Sequence, residues 1–130
     1  MKHRILIVED NKPNLELLTD WLESEGYEVL TAENLQRART VFTESQPHAV
    51  LLDIQLGGED GLTFASWARR HATVRDIPVI AVTAHAMISD QERIMQAGCH
   101  ACVPKPVNFK QLRQQLDIWI SNAERLQSRS

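Results

Sequence analysis

Five residues with side chains suited to charge chemistry stand where short apolar runs stop: Glu9 and Asp10 after Ile5–Val8, Asp53 after Ala49–Leu52, Thr83 after Ile77–Val82, and Lys105 just past Ala101–Val103. Runs of this length and composition read as buried parallel strands. In open α/β sheets the chemistry gathers at the carboxyl ends of such strands. Asp53 is the most exposed to doubt and the most informative. A lone carboxylate on the rim of a crevice is costly without a cation or metal beside it. Taken singly, each residue has an ordinary explanation: Asp53 starting a turn, Thr83 ending a strand, Lys105 simply solvated. Taken together they describe a site. Three carboxylates in one crevice cannot all stay ionised without a counter-charge. A hard divalent cation such as Mg²⁺, sharing its coordination with water and a phosphoryl group, supplies one. A threonine hydroxyl and a lysine amine beside it suit the charge of a phosphoryl group in transfer.

Elements must position these residues, and the hydrophobic periodicity supplies them. After Ile5–Val8, Pro13 falls in the first turn of a helix carrying Leu15, Leu18, Trp21 and Leu22, with Gly26 as its C-terminal stop. Tyr27–Thr31 alternates as an edge strand does. Asn34 caps a helix with Leu35, Ala38, Val41 and Phe42 on one face, and Pro47 lies beyond its end. Ala49–Leu52 is the central strand, and a helix after Gly61 presents Leu62, Ala65 and Ala68 and fades by His71. Ile77–Val82 is the fourth strand. Ser89 to Glu92 has capping-box spacing, so a short helix starts there and stops near Gly98. Ala101–Val103 is a brief fifth strand. The last helix is capped by Asn108 with Gln111, stapled by Val107 and Leu112, and carries Phe109, Leu116, Trp119, Ile120 and Ala123. Strand and helix alternate five times, which predicts an α/β fold: a five-stranded doubly wound parallel sheet, order 2-1-3-4-5, with five helices in a flavodoxin-like arrangement. A Rossmann-like variant is the alternative, but the turn after the first strand has no G-x-G-x-x-G and carries two acids instead.

Composition narrows the partners. The chain has 130 residues, enough for one domain with a sizeable core, and a formal net charge of −3. No global basic field favours nucleic acid or an acidic membrane surface. The longest apolar runs are four residues each, too short for a membrane span or the apolar region of a secretory leader. Two cysteines do not make a disulfide scaffold. The chain reads as a soluble, cytoplasmic protein. The sequence divides into a domain over residues 1–124 and a frayed polar tail over 125–130.

Ile5-Leu6-Ile7-Val8-Glu9-Asp10-Asn11, Leu52-Asp53-Ile54-Gln55-Leu56 through Asp60-Gly61, Val82-Thr83-Ala84 and Lys105-Pro106 occur in this order across essentially the whole chain. In this the sequence resembles the receiver domain of two-component response regulators. The resemblance implies that Asp53 is the phosphoacceptor for a phosphohistidine on a histidine kinase or histidine phosphotransfer protein. It implies that Glu9, Asp10, Asp53 and the backbone carbonyl of Gln55 hold Mg²⁺. Thr83 would bond the phosphoryl oxygen in the active state, Lys105 would pair with it, and the Lys105-Pro106 bond would be cis, a state essentially confined to proline. Such a domain catalyses only its own phosphorylation and dephosphorylation. No other cofactor is implied. An aspartyl phosphate forms by in-line attack with charge neutralisation, so no histidine or cysteine is needed at the centre.

The chain departs from the family pattern at several modulating positions. Gly57 stands where the family usually has proline, and Glu59 where it has an apolar residue; Gly57-Gly58 is expected to loosen the loop after Asp53. Cys102 replaces the aromatic residue that usually follows the threonine on phosphorylation, and it is too small for that role. The switch is then expected to run through Thr83 and the Ala84–Ile88 loop. Pro104 stiffens the segment before Lys105. His85, two residues past Thr83, stands where receivers tune the hydrolytic water; the plain alternative is an exposed loop histidine. Cys99 and Cys102 have C-x-x-C spacing, but a structural zinc needs four ligands and a redox motif should open a helix, so small buried hydrophobes are the preferred reading. Trp21, Trp67 and Trp119 read as helix-packing residues, Trp119 being the one to test at an interface.

The leading functional expectation is a phosphorylatable switch that presents its fourth helix, fifth strand and fifth helix to a downstream protein target. Met1-Lys2-His3-Arg4-Ile5 suggests a stand-alone regulator or phosphorelay shuttle, while Thr83–Met87 and Asp90–Arg93 also resemble receivers cut from hybrid histidine kinases. An Asp-nucleophile phosphatase is the enzyme alternative. It requires a second aspartate two residues after the first, where this chain has Gln55. A pseudo-receiver acting only by binding is disfavoured, because no phosphorylation residue is missing.

Overall fold

Alternation along each strand divides its side chains between the two faces of the sheet, and this division builds the core. In a computed structural model describing residues 2–71, 76–84 and 87–128, Leu6 and Val8 of strand β1 (Arg4–Val8) enter one apolar cluster and Ile5 and Ile7 the other. Strand β3 (Ala49–Asp53) sends Val50 and Leu52 to the first cluster and Ala49 and Leu51 to the second. Strand β4 (Val79–Thr83) does the same with Val79 and Ala81 against Ile80 and Val82. These three strands are buried along their length apart from Arg4, as a sheet covered on both faces requires. Strands β2 (Glu28–Ala32) and β5 (Ala101–Pro104) are the edges, and the order is β2-β1-β3-β4-β5, all parallel. Pro104 is tolerated in β5 because an edge strand leaves one side without a ladder partner.

Five helices cover the sheet: α1 (Lys12–Ser24), α2 (Leu35–Ser45), α3 (Leu62–His71), α4 (Ile88–Gln96) and α5 (Phe109–Ser128). Leu35, Phe42, Phe64, Ala65 and Ile94 of α2, α3 and α4 fill the first cluster, with the Phe42 and Phe64 rings edge to face at 5.8 Å. Leu18, Leu22, Leu112, Leu116 and Ile120 of α1 and α5 fill the second, where Trp21 stacks on Phe109 at 4.9 Å. The caps follow the sequence at two helices, at Asn34 and Asn108, and Asn11 adds a third. Asn11, Asn34 and Asn108 each accept the backbone N–H three residues on, at 3.0, 2.8 and 3.0 Å, and Gly26, at φ 92°, ends α1. At α4 the structure differs from the capping-box expectation. The helix begins at Ile88, its N-cap is Met87 with no side-chain hydrogen bond, and Ser89 lies inside the first turn. Helix α5 runs on to Ser128, past the boundary expected at 124. Its last stretch holds good helix formers and no glycine or proline. No helix among the described residues is long and apolar enough to cross a membrane.

Candidate active site at the carboxyl edge of the sheet

The sheet order makes the carboxyl ends of β1, β3 and β4 neighbours, with Val8 opposite Leu52 and Asp53 opposite Val82. Glu9 follows β1, Asp53 ends β3, Thr83 ends β4, and Lys105 follows β5. Among the described residues, Glu9, Asp53 and Thr83 are the buried polar residues of the core, at 2%, 7% and 3% exposure. Asp10 is exposed. Carboxylate oxygens of Glu9, Asp10 and Asp53 lie within 4.8 Å of one another, so one small cation could touch all three.

Backbone and amine groups hold this cluster in place. Asp53 Oδ1 accepts the Gln55 backbone N–H at 3.1 Å, and Asp53 Oδ2 faces Lys105 Nζ at 3.2 Å. The same amine reaches Glu9 Oε1 at 3.5 Å, and Glu9 Oε2 accepts the Asn11 N–H at 3.4 Å. The Lys105-Pro106 bond is cis, as expected, and the Lys105 N–H donates to the Thr83 carbonyl at 2.8 Å. Burial is the main reason the Glu9 carboxyl is pushed up to about 7, helped by the adjacent Asp53 and opposed by Lys105. A carboxyl pair this dry favours either a proton or a cation. Hard oxygen donors, short of neutralising charge and open on the Asp10 side, fit Mg²⁺.

The loop after Asp53 has secondary structure of its own. Gln55–Leu56 pairs antiparallel with Glu59–Asp60 in a small hairpin, and Gly57 and Gly58, at φ 45° and 95°, supply the two left-handed residues of its turn. A Cβ on Gly57 would meet Asp10 Oδ2 at 2.9 Å. Glu59 does more than add charge: its Oε1 accepts the Leu35 N–H at 3.2 Å, joining the hairpin to the start of α2. Asp60 Oδ1 accepts the Leu62 N–H at 3.0 Å at the start of α3. Gly61 was legible only as part of a motif. Its N–H donates to the Ile54 carbonyl at 2.8 Å, and a Cβ there would meet the Asp53 carbonyl oxygen at 2.6 Å. Asn11 also escaped the sequence reading as a cap, although asparagine before Lys-Pro is an N-cap signature.

The modulating positions separate. Ala84 is exposed. His85 lies outside the described residues. Cys102 is partly buried and packs against the cluster under α2, α3 and α4, on the face to which Thr83 points by alternation from Ala81. Burial pushes the thiols of Cys99, to about 12, and Cys102 upward, which suits packing and not thiolate chemistry. Trp119 donates Nε1–H to Gln115 Oε1 at 3.1 Å and meets the His100 ring edge to face at 5.3 Å. Two recesses flank the site. A groove of about 420 Å³ shares Glu9 and Lys105 with it and is lined by Leu17, Leu18, Val107 and Phe109. A cleft of about 440 Å³ lies on the other side, lined by Gln55, Glu59, Asp60, Thr83 and Arg93.

Comparison with known proteins agrees with this geometry. The family model for the response regulator receiver domain matches residues 5–117. The polar-differentiation response regulator DivK of Brucella anthropi is 38% identical over 123 residues, covering 95% of this chain and all of that protein; DivK of Brucella ovis is 37% identical with the same coverage. The receiver domain of a sensor histidine kinase from Pseudomonas aeruginosa PAO1, solved with magnesium in its active site cleft, superposes with a TM-score of 0.82 at 30% identity, covering 93% of this chain and 99% of that one. A structure from Chloroflexus aurantiacus, assigned as a response regulator, gives a TM-score of 0.85 at 28% identity, with coverage of 93% and 99%. This chain belongs to the response regulator receiver domain family and is a phosphorylatable signalling receiver.

Proposed function

We propose that Asp53 is the phosphoacceptor, and that the chain passes a signal by taking a phosphoryl group from a phosphohistidine on a histidine kinase or histidine phosphotransfer protein. The observation that carries this reading is the Asp53 carboxylate, buried at the sheet edge with one oxygen held by Gln55 N–H and the other beside Lys105 Nζ. A nucleophile held in this way can be kept in line with a phosphorus and its leaving group. As Asp53 attacks, the bond to the phosphohistidine nitrogen breaks and charge stays on the phosphoryl oxygens. Lys105 then pairs with one of these and the Thr83 hydroxyl donates to another. Glu9, Asp10, Asp53 and the Gln55 carbonyl would hold Mg²⁺, which when bound supplies positive charge against phosphoryl and carboxylate oxygens. Leu17, 57% exposed beside the groove at Lys105, gives a donor protein an apolar foothold next to the reacting atoms.

Output then runs through α4, β5 and α5 to a downstream protein, and the only chemistry the domain performs is its own phosphorylation and dephosphorylation. Incubation with Mg²⁺ and acetyl phosphate, or with beryllofluoride, is expected to alter the intact protein by mass or by amide chemical shift. Asp53→Asn is expected to remove that change. A response of equal size in the variant would overturn the assignment.

A further inference from the structure

Helix α4 is fastened at one end. At its C-terminal end, Ser66 Oγ–H of α3 donates to the Ala97 carbonyl at 2.8 Å. Gly98, at φ 114°, lies so close to α3 that a Cβ there would meet Arg69 Cδ at 2.7 Å. At its N-terminal end the cap makes no side-chain hydrogen bond, and Met87 and Ile88 are 74% and 76% exposed. Ile94 is the only buried residue of the helix. Few buried apolar contacts and an uncapped end mark an element that moves at little cost.

Arg93 of this helix lines the 440 Å³ cleft together with Thr83 and Gln55, and it is the one cation of that lining among the described residues. The acids opposite are engaged elsewhere, Glu59 with the Leu35 N–H and Asp60 with the Leu62 N–H. No carboxylate lies within 4.0 Å of Arg93 among the described residues. A guanidinium in that position suits the fork-like pairing it makes with phosphoryl oxygens. Cys102, on the strand beside Thr83, is too small to carry the message by a ring flip. Asp53 does not line the cleft itself but adjoins it, bonded to the Gln55 N–H and paired with Val82 just before Thr83. The geometry points to Arg93 as the residue through which α4 reads Asp53: when Asp53 carries a phosphoryl group that extends past Gln55 and Thr83 into the cleft, the guanidinium pairs with its oxygens and draws α4 about its fastened C-terminal end. The inference rests on Asp53 being the phosphoacceptor.

The test compares amide spectra of the wild type, R93Q, R93K and D53N with and without saturating Mg²⁺ and beryllofluoride. Arg93 is exposed, so its replacement should leave the fold intact. In the wild type, amides of Asp53, Thr83 and residues 88–96 shift. In R93Q those of Asp53 and Thr83 still shift, showing that the site loads, while the 88–96 shifts fall to about a third or less; R93K, which keeps the charge, retains about half or more. A wild-type response of α4 in R93Q overturns the inference. So does equal loss in R93K and R93Q, which would make Arg93 a packing residue. An unresponsive wild type would defeat the phosphoacceptor reading and this inference together, whereas shifts at Asp53 and Thr83 with an R93Q-insensitive α4 would defeat this one alone.

Discussion

Gly61 has no side chain, yet the position of Asp53 depends on it. The atoms a Cβ would strike are backbone: the Asp53 carbonyl oxygen at 2.6 Å, and the Ile54 Cα and carbonyl oxygen at 2.9 Å. None can swing away as a side chain could, so Gly61→Ala is expected to cost about 1–3 kcal/mol in urea unfolding and to shift the Asp53 amide resonance. A second residue, His100, sets a pH dependence. Its Nδ1 accepts the Val79 N–H at 3.1 Å, as His48 Nδ1 accepts the Arg4 N–H at 2.9 Å, so both histidines extend the sheet at the ends opposite the site. That bond requires an unprotonated Nδ1. Burial, reinforced by Arg69 and opposed by Asp76, holds the His100 pKa below its usual value. The unfolded chain therefore binds the proton more readily than the fold does, and stability falls as pH drops below about 6.5. The urea midpoint of the wild type should fall between pH 7 and pH 5.5 by more than that of H100N, whose carboxamide keeps an acceptor and does not titrate. Equal slopes would remove His100 from the account. Glu9, Asp53, Thr83 and Lys105 were legible in the sequence because chemistry-bearing types interrupt apolar runs. Gly61 and His100 were not, because their roles depend on backbone atoms brought close by the fold.

Among the elements, periodicity foretold those with a long apolar stripe and missed those fixed by a few contacts. The sheet order and the helices followed from runs such as Ile5–Val8 and faces such as Leu35, Ala38, Val41 and Phe42. The hairpin did not, since two-residue strands have no period to read, and Gly57-Gly58 was read for its conformational freedom and not as the two-residue turn it forms. The start of α4 was misplaced because capping-box spacing at Ser89 says nothing of whether the chain has already turned helical at Ile88. Glu59 joins two of these elements. Its carboxylate lies at the positive end of α2, where an acid is favoured, and accepts the Leu35 N–H. Glu59→Ala is expected to cost about 0.5–1 kcal/mol and to speed hydrogen exchange of the Leu35 amide. Glu59→Gln, which keeps an acceptor without the charge, should fall between the two. An unchanged Leu35 exchange rate in the alanine variant would mean that the hairpin is held to the domain by other contacts.

For the molecule as a whole, the site is a cost that the fold must offset before any partner arrives. Glu9 and Asp53 are almost fully buried side by side, and burial with mutual repulsion makes the Glu9 carboxyl hold its proton more tightly than usual. Lys105 is the counter-charge, 3.2 Å from one carboxylate and 3.5 Å from the other. Its own side chain is 25% exposed, so its removal should cost less than the loss of one partner from a fully buried ion pair, about 1–3 kcal/mol. Lys105→Met keeps the apolar stem and removes the charge, and it should melt lower than the wild type in metal-free buffer. Magnesium acts in the opposite direction. A cation that binds the folded state alone adds about 1.4 kcal/mol at ten times its Kd, or roughly 4 °C for a domain of this size. Because Lys105→Met leaves the three carboxylates with less compensation, it should gain more from Mg²⁺ than the wild type does, while Glu9→Gln and Asp53→Asn should gain less. Melting curves of the four proteins across a magnesium titration measure both effects at once. If Lys105→Met gained no more than the wild type, the lysine would not be the charge that stands in for metal at this sheet edge.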